Sequence, residues 1–289
     1  ELHHADDVFG HGRTMFHIQN AEWVLDVLPS GLKWTGLYKR GLRNVLDIQV
    51  VENNFFVPGL PRAFAGYTIL QISDLHIDIT PGLAEAVIDR LRLLEYDLCV
   101  VTGDYKWRTS GSDAPALSEL HKIVPHLRPP AYAILGNHDF LEFVPPMEAM
   151  GLPFLLNETV TLEREGERIY LSGVDDPHFY ETDNLQKTGD KIPPDAVSIL
   201  LAHSPEIYRQ AAAAGYDVLL CGHTHAGQIC LPGRVPLLNN ANCPREMVYG
   251  PWQFHHTQGY TSAGTGSSGV PVRFFCPPEV TLHRLYPVQ

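Results

Sequence analysis

Two histidines one residue apart, His223 and His225, follow an apolar run in the stretch DVLLCGHTHAGQI. In an extended segment residues i and i+2 point the same way, so both imidazoles can face one spot at the mouth of the run Val218 to Cys221. Part of a metal site is built this way, and the other donors must come from elsewhere in the chain. Four more strand-like runs end in similar residues. SDLH brings Asp74 and His76, TGD brings Asp104, GNHD brings Asn137, His138 and Asp139, and AHS brings His203. A single histidine or aspartate at a strand end is ordinarily structural or a turn residue. Endings in the order D-x-H, G-D, G-N-H-D, H and G-H-x-H are hard to produce by independent accidents. Mixed imidazole, carboxylate and amide donors suit Mn, Fe or Zn better than Ca or a thiolate-seeking ion.

The elements that must position these residues alternate in type. YTILQISDLH, DLCVVTGD, AYAILGNHD, VSILLAHSPE and YDVLLCGHTH read as buried strands. GLAEAVIDRLRLL, APALSELHKIV and EIYRQAAAAG between them read as helices. Strand–helix alternation predicts an α/β protein with a parallel, buried sheet, whose strands' carboxyl ends are where ligands sit. TVTLEREGERIYLSGV alternates apolar and polar residues about Glu165-Gly166-Glu167 and predicts a hairpin. GVPVRFFCPPEVTLHRLYP reads as two closing strands. One domain over residues 46–289, preceded by an extension over 1–45, is the economical division.

Composition narrows the function classes. The 289 residues are 44% hydrophobic, enough for one large core, and the net charge of −12 argues against a nucleic-acid partner. No apolar run reaches the roughly 18 residues of a membrane span. The five cysteines are widely spaced without a CxxC, so free thiols and a reducing, cytoplasmic setting are expected. The chain begins at Glu1 without methionine, which fits removal of a leader, anchor or tag.

The ordered blocks over residues 68 to 225 resemble the calcineurin-like metallophosphoesterase family. FFVPGLPRAFAGYTILQISDLHI and TSAGTGSSGVPVRFFCPPEVTLHRL resemble a bacterial, commonly membrane-associated subgroup. The resemblance implies a four-layer α/β/β/α sandwich of two mixed β-sheets with two divalent metal ions between them. By position, Asp74, His76 and His225 would hold the first ion, Asn137, His203 and His223 the second, and Asp104 would bridge both. It implies attack on phosphorus by a hydroxide shared by the ions, with His138 assisting the leaving group. Asp139 would either orient His138 or cap a helix over FLEFVPPMEAM. Relatives that act on phosphoproteins often carry Asp where this chain has Trp107, in GDYKWRTS. A phosphodiesterase is therefore expected over a phosphoprotein phosphatase. The alternatives are a pyrophosphatase of a lipid-linked nucleotide such as UDP-2,3-diacylglucosamine and a non-catalytic metal-binding scaffold.

Other residues divide between chemistry and packing. His178, in GVDDPHFYETD, is a candidate substrate contact, as are Tyr105 and Trp107, for which packing roles are equally expected. GTGSSG (residues 264–269) lacks the Lys of a P-loop and reads as a flexible turn. His255 and His256 are candidates for a loop near the site. In LKWTGLYKRGLRNVLD, Trp34, Leu37, Tyr38, Leu42 and Val45 fall on one helical face. Lys39, Arg40 and Arg43 lie largely off it, with no acid before Asp47. Such a helix either packs on the domain with a solvated basic side or docks, through Trp34 and these cations, on an anionic membrane surface.

Overall fold

Period-two alternation splits each central strand between two cores. In β2 (Thr68–Ile72) Ile69 faces one way while Leu70 and Ile72 face the other. In β3 (Leu98–Thr102) Val100 parts in the same way from Cys99 and Val101. In β7 (Ser198–Leu201) Ile199 and Leu201 part from Leu200, and in β8 (Val218–Cys221) Val218 and Leu220 part from Leu219 and Cys221. Strands apolar on both faces must be covered on both faces. A computed structural model describes residues 29–109, 111–236 and 241–288, and it shows how this is done.

Two mixed sheets stack on one another. The first runs β1 (Gln49–Val57), β13 (Glu279–Pro287), β2, β3 and β4 (Ala131–Ile134). Here β13 is parallel to β1 and antiparallel to β2, and β2, β3 and β4 are mutually parallel. The second runs β11 (Gly250–Phe254), β12 (Thr257–Thr261), β8, β7, β6 (Glu167–Gly173) and β5 (Glu158–Arg164). Its strands β12, β8, β7 and β6 are parallel. A short ribbon of β9 (Cys230–Leu231) and β10 (Val235–Pro236) stands apart.

Ile69, Val100 and Ile134 of the first sheet meet Leu171, Ile199, Leu201 and Leu220 of the second in the inter-sheet core. Helices α2 (Leu83–Leu91), α3 (Ala114–Ile123) and α4 (Val144–Ala149) cover the outer face of the first sheet. The short α5 (Leu185–Gly189) and α6 (Tyr208–Ala213) lie outside the second. The result is the expected four-layer α/β/β/α sandwich, with two sheets where strand–helix alternation alone suggested one. The hairpin at Glu165–Gly166 is present, both residues having positive φ.

Three expectations need correction. Only one strand, β13, forms in the C-terminal stretch, because residues 270–276 run as a partly buried connection that carries the buried Arg273. His255 and His256 sit in the β11–β12 turn, beside the amino-terminal end of β8 and so at the end of the sheet opposite His223. Among the described residues the extension is helical over 29–34 and again in α1 (Tyr38–Leu46), which crosses the expected 45/46 boundary. Gly36, at φ 73°, interrupts the face that was to include Trp34. Helix α1 packs on the domain: Gly41 and Val45 are buried, and a Cβ at Gly41 would stand 2.6 Å from Cβ of Val272. Trp34 is left 90% exposed and Leu37 41% exposed, and Lys39, Arg40 and Arg43 are exposed as well. Residues 1–28 of the extension lie outside the described residues.

The inter-sheet core should dominate stability. Leu220→Ala is expected to cost about 2–5 kcal/mol in urea denaturation of the metal-free protein. Leu93→Ala, at a position 75% exposed, should change it by less than about 0.5 kcal/mol.

Candidate metal centre

Because β2, β3 and β4 are parallel, their carboxyl ends share one edge of the first sheet, and β8, β7 and β6 do the same in the second. Every expected donor lies just beyond one of these ends. The chain turns sharply there. Asp74, His76, Asp104, His223 and His225 all have positive φ, between 37° and 72°. Such backbone is costly for residues other than glycine and tends to mark functional sites. Main-chain hydrogen bonds hold these turns: Asp74 N–H donates to Gly103 O at 3.0 Å and His76 N–H to Asp104 O at 3.0 Å. The two sheets touch at Gly222, where a Cβ would fall 1.9 Å from Oγ of Ser73.

The side chains form two buried triads, Asp74–His76–His225 and Asp104–His203–His223, each with its donor atoms within 4.8 Å of one another. Each triad draws on both sheets. Asn137 joins the second: its Oδ1 is 3.1 Å from Nε2 of His203 and 2.8 Å from Nδ1 of His223. Asp104, a member of the second triad, also reaches the first, with Oδ2 at 3.4 Å from Nε2 of His76 and 3.2 Å from Nε2 of His203. Its Oδ1 accepts the main-chain N–H of His138 at 2.9 Å.

The tautomers decide what this arrangement can bind. Nδ1 of His76 lies 2.9 Å from the carbonyl of Lys106, and Nδ1 of His203 lies 2.7 Å from that of Thr102. A carbonyl only accepts, so each Nδ1 carries the proton and each neutral ring turns an Nε2 lone pair inward. These lone pairs face oxygens of Asp104 and Asn137, and Nε2 of His225 lies 3.1 Å from that of His76. Acceptors facing acceptors require either an added proton or a cation. The spacings, 2.8 to 3.4 Å, are close to the edges of about 3.0–3.4 Å expected where donors lie roughly 2.0–2.1 Å from an ion. The donor set therefore fits two divalent cations.

The electrostatics show the strain of leaving that charge uncompensated. Burial pushes the Asp74 carboxyl up to about 6, His203 pulling it down and Asp104 adding to the rise. Burial alone would discharge His203, but the Asp104 carboxylate overrides it and lifts the imidazole to about 10. Asp104 is itself held well below the ordinary carboxylate range, His203 and His138 overcoming its burial. Burial drops His76 to about 4 and, with His76 and Arg273 as neighbours, drives His225 well below its usual value.

His138 lies in neither triad. Its Nδ1 bonds the carbonyl of Trp107, whose indole stacks on the imidazole at 4.8 Å between centroids. Among the described residues its Nε2 is buried and has no hydrogen-bond partner. Asp139 neither orients His138 nor caps a helix. Its carboxylate accepts main-chain N–H groups from Asp104 at 2.7 Å, Tyr105 at 3.0 Å and Gly136 at 2.8 Å, clamping two strand ends together. Burial and then the nearby Asp104 push Asp139 up to about 7. Tyr105 does not line a cleft. Its ring is buried between Phe143 and Phe154, and its hydroxyl donates to Ile134 O at 3.0 Å.

His178 does reach the centre, with its ring centroid 4.1 Å from that of His223 and its Nδ1 2.9 Å from Oε2 of Glu206. Sequence reasoning missed Glu206, although it lies three residues after His203 in AHSPE. It also missed Arg273, a fully buried guanidinium that donates to the carbonyls of Gly266 at 2.7 Å and Ala263 at 2.6 Å and reaches Nδ1 of His225 at 3.3 Å. GTGSSG is a buried brace rather than a flexible turn: Thr265 N–H donates to Ser73 O at 2.7 Å and Gly266 N–H to Asp74 O at 2.9 Å.

Comparison with known proteins agrees with this geometry. Residues 67–227 match the calcineurin-like phosphoesterase family model. The metallophosphoesterase YkoQ of Bacillus subtilis is 30% identical, over 86% of this chain and 94% of its own length. Phosphodiesterase YaeI of Escherichia coli is 28% identical, over 76% and 83%. A zebrafish protein described as a transmembrane protein with metallophosphoesterase domain is 28% identical over 81% of this chain, but only 56% of its own length is covered. Among the described residues, no helix is long and apolar enough to cross a membrane.

The raised value of His203 sets the pH dependence of metal uptake. Between about 6.5 and about 10 the metal-free fold keeps a proton that a coordinating imidazole must shed. Apparent Mn²⁺ affinity should therefore rise with pH across this window, with protons released at pH 7.5. Calorimetry in buffers of different ionisation enthalpy will show both effects. Asp104→Asn should weaken both sites, since the carboxylate reaches donors of both triads.

Proposed function

The chain belongs to the calcineurin-like phosphoesterase family, and on that premise we propose that it is a phosphodiesterase in which His138 serves the leaving group. That the enzyme hydrolyses phosphoester bonds follows from the family. The choice of bond and the residue roles are this proposal. Asp74, His76 and His225 would hold one divalent cation, and Asn137, His203 and His223 the other, with Asp104 shared; Mn, Fe and Zn all suit the donors. When bound, the two ions supply an activated water and neutralise charge on the phosphoryl oxygens.

The observation that carries the role of His138 is its orphaned, buried Nε2 on a ring fixed from two sides. Its Nδ1–H is committed to the Trp107 carbonyl, so Nε2 is the nitrogen that exchanges a proton with substrate. In its protonated form the ring passes Nε2–H to the departing alcohol oxygen and is left neutral, with the lone pair on Nε2. Trp107 shields one face of the imidazole from water and supplies the orienting acceptor. It stands where phosphoprotein-directed relatives carry an aspartate, and this supports a diester substrate. The name of the similar YaeI supports the same choice.

A second reading concerns the substrate's setting. Trp34 and Leu37 are exposed, as are Lys39, Arg40 and Arg43, on a protein of net charge −12. This arrangement supports docking at the anionic cytoplasmic face of a membrane, near a lipid-linked pyrophosphate. Flotation with vesicles containing phosphatidylglycerol should then fall when Lys39, Arg40 and Arg43 are replaced by Gln. Equal flotation removes this reading and leaves the phosphodiesterase proposal intact.

Hydrolysis of bis-p-nitrophenyl phosphate should require Mn²⁺ and be lost with chelator, which separates an enzyme from a metal-binding scaffold. His138→Ala should retain two metal ions per chain while its turnover falls by a factor on the order of 10²–10⁴. Unchanged turnover would mean that the proton comes from elsewhere.

A further inference from the structure

In each sheet three adjacent parallel strands end at the centre. In the first these are β2, β3 and β4, whose ends carry Asp74 and His76, Asp104, and then Asn137 and His138. In the second they are β8, β7 and β6, whose ends carry His223 and His225, His203, and then His178. The third strand of each set thus adds a histidine that belongs to neither triad. His138 and His178 also share a local design, because each ring is fixed through Nδ1 by an acceptor, the carbonyl of Trp107 for one and the carboxylate of Glu206 for the other.

The support beneath His178 has two parts. Asp176, fully buried, accepts the main-chain N–H groups of His178 at 3.1 Å, Phe179 at 2.6 Å and Tyr180 at 2.8 Å, which fixes the path of this loop. Glu206 then fixes the ring, and both side chains are withdrawn from water, 3% and 7% exposed. A buried histidine–carboxylate pair is poor value as a stabilising device, since desolvation cancels most of its attraction. It is an effective way to aim an imidazole. Glu206 follows the metal-triad residue His203 on one short turn, Pro205–Ile207, so the aim of His178 is referenced to the centre itself.

We propose that His178 contacts a phosphoryl oxygen of the substrate on the side of the second triad, and that Glu206 is the positioning residue that sets the ring for this contact. The inference rests on the phosphoesterase reading above and assigns the side of the centre across from His138. The substrate is then gripped by two imidazoles, one from each sheet, with His138 at the leaving group and His178 at an oxygen that stays on phosphorus. Orientation is what Glu206 provides, so an amide in its place, which keeps an oxygen acceptor for Nδ1–H, will serve.

The test compares His178→Ala, Glu206→Leu and Glu206→Gln in the full-length, Mn²⁺-loaded protein. Inorganic phosphate binding is measured by calorimetry, metal content by elemental analysis, and KM and kcat with bis-p-nitrophenyl phosphate. His178→Ala and Glu206→Leu should weaken phosphate binding and raise KM by about tenfold, the size of one lost hydrogen bond. Both should retain two metal ions and most of kcat, and Glu206→Gln should stay within about threefold of wild type. Loss of a metal ion from His178→Ala would overturn the proposal by making His178 a ligand. Wild-type phosphate affinity in His178→Ala would overturn it as well, as would Glu206→Gln behaving like Glu206→Leu. If wild-type protein binds Mn²⁺ and phosphate but leaves the diester intact, the phosphodiesterase reading fails and the contact of His178 with phosphate still stands.

Discussion

The centre is governed by a collision of lone pairs. Main-chain carbonyls hold a proton at Nδ1 of His76 and of His203, so Nε2 of each ring, once neutral, turns a lone pair toward carboxylate and amide oxygens. Seven side chains from five strand ends meet there, and the proton that His203 keeps beside Asp104 is what a cation must replace. The fold tolerates this because the groups are fixed to two rigid sheets joined by a dry, interdigitated core. Left-handed backbone at five of the seven positions is a second cost borne in the same place. Such a donor set suits a site arranged around the charge of cations.

The loops that carry the donors are braced from behind, and each half has its own brace. In the first sheet Asp139 collects three main-chain N–H groups and ties the end of β3 to that of β4. Beside the end of β8, the guanidinium of Arg273 is spread over carbonyls of the 263–266 segment and reaches His225. Among the described residues no carboxylate pairs with it. The 264–266 segment is hydrogen-bonded in turn to Ser73 and Asp74, so the brace crosses from one sheet to the other. These contacts explain why residues far along the chain from any donor belong to the working part of the molecule.

Much of the donor set was legible in the sequence because its chemistry is local: an apolar run that stops in Asp, Asn or His announces a strand end with a polar task. The hairpin at Glu165-Gly166 was legible for the same reason. What escaped depends on partners distant in sequence. Asp139 has the composition of an orienting or capping residue, and only the approach of β3 to β4 makes it a clamp. GTGSSG looks flexible until Ser73 and Asp74 are brought against it. Periodicity placed Trp34 on one face with Val45, but the turn at Gly36 broke that face. Tyr105 follows an aspartate of the centre directly, but the left-handed turn at Gly103 and Asp104 sends its ring into the core. Glu206 offers no signal beyond its nearness to His203, because the strand that delivers His178 is paired with β7 only in three dimensions.

The position of β13 has a consequence for how the molecule is made. Thr281 pairs with Gln71, so the strand that lies between β1 and β2 is drawn from the far side of both sheets in chain order. On the ribosome, β2 emerges early and its hydrogen-bonding edge has no neighbour on that side until residues 279–287 have been translated. A bare apolar edge is an invitation to pair with another nascent chain. The interval between those two events is when this protein is most in need of a chaperone, and slowing elongation late in the message would prolong it.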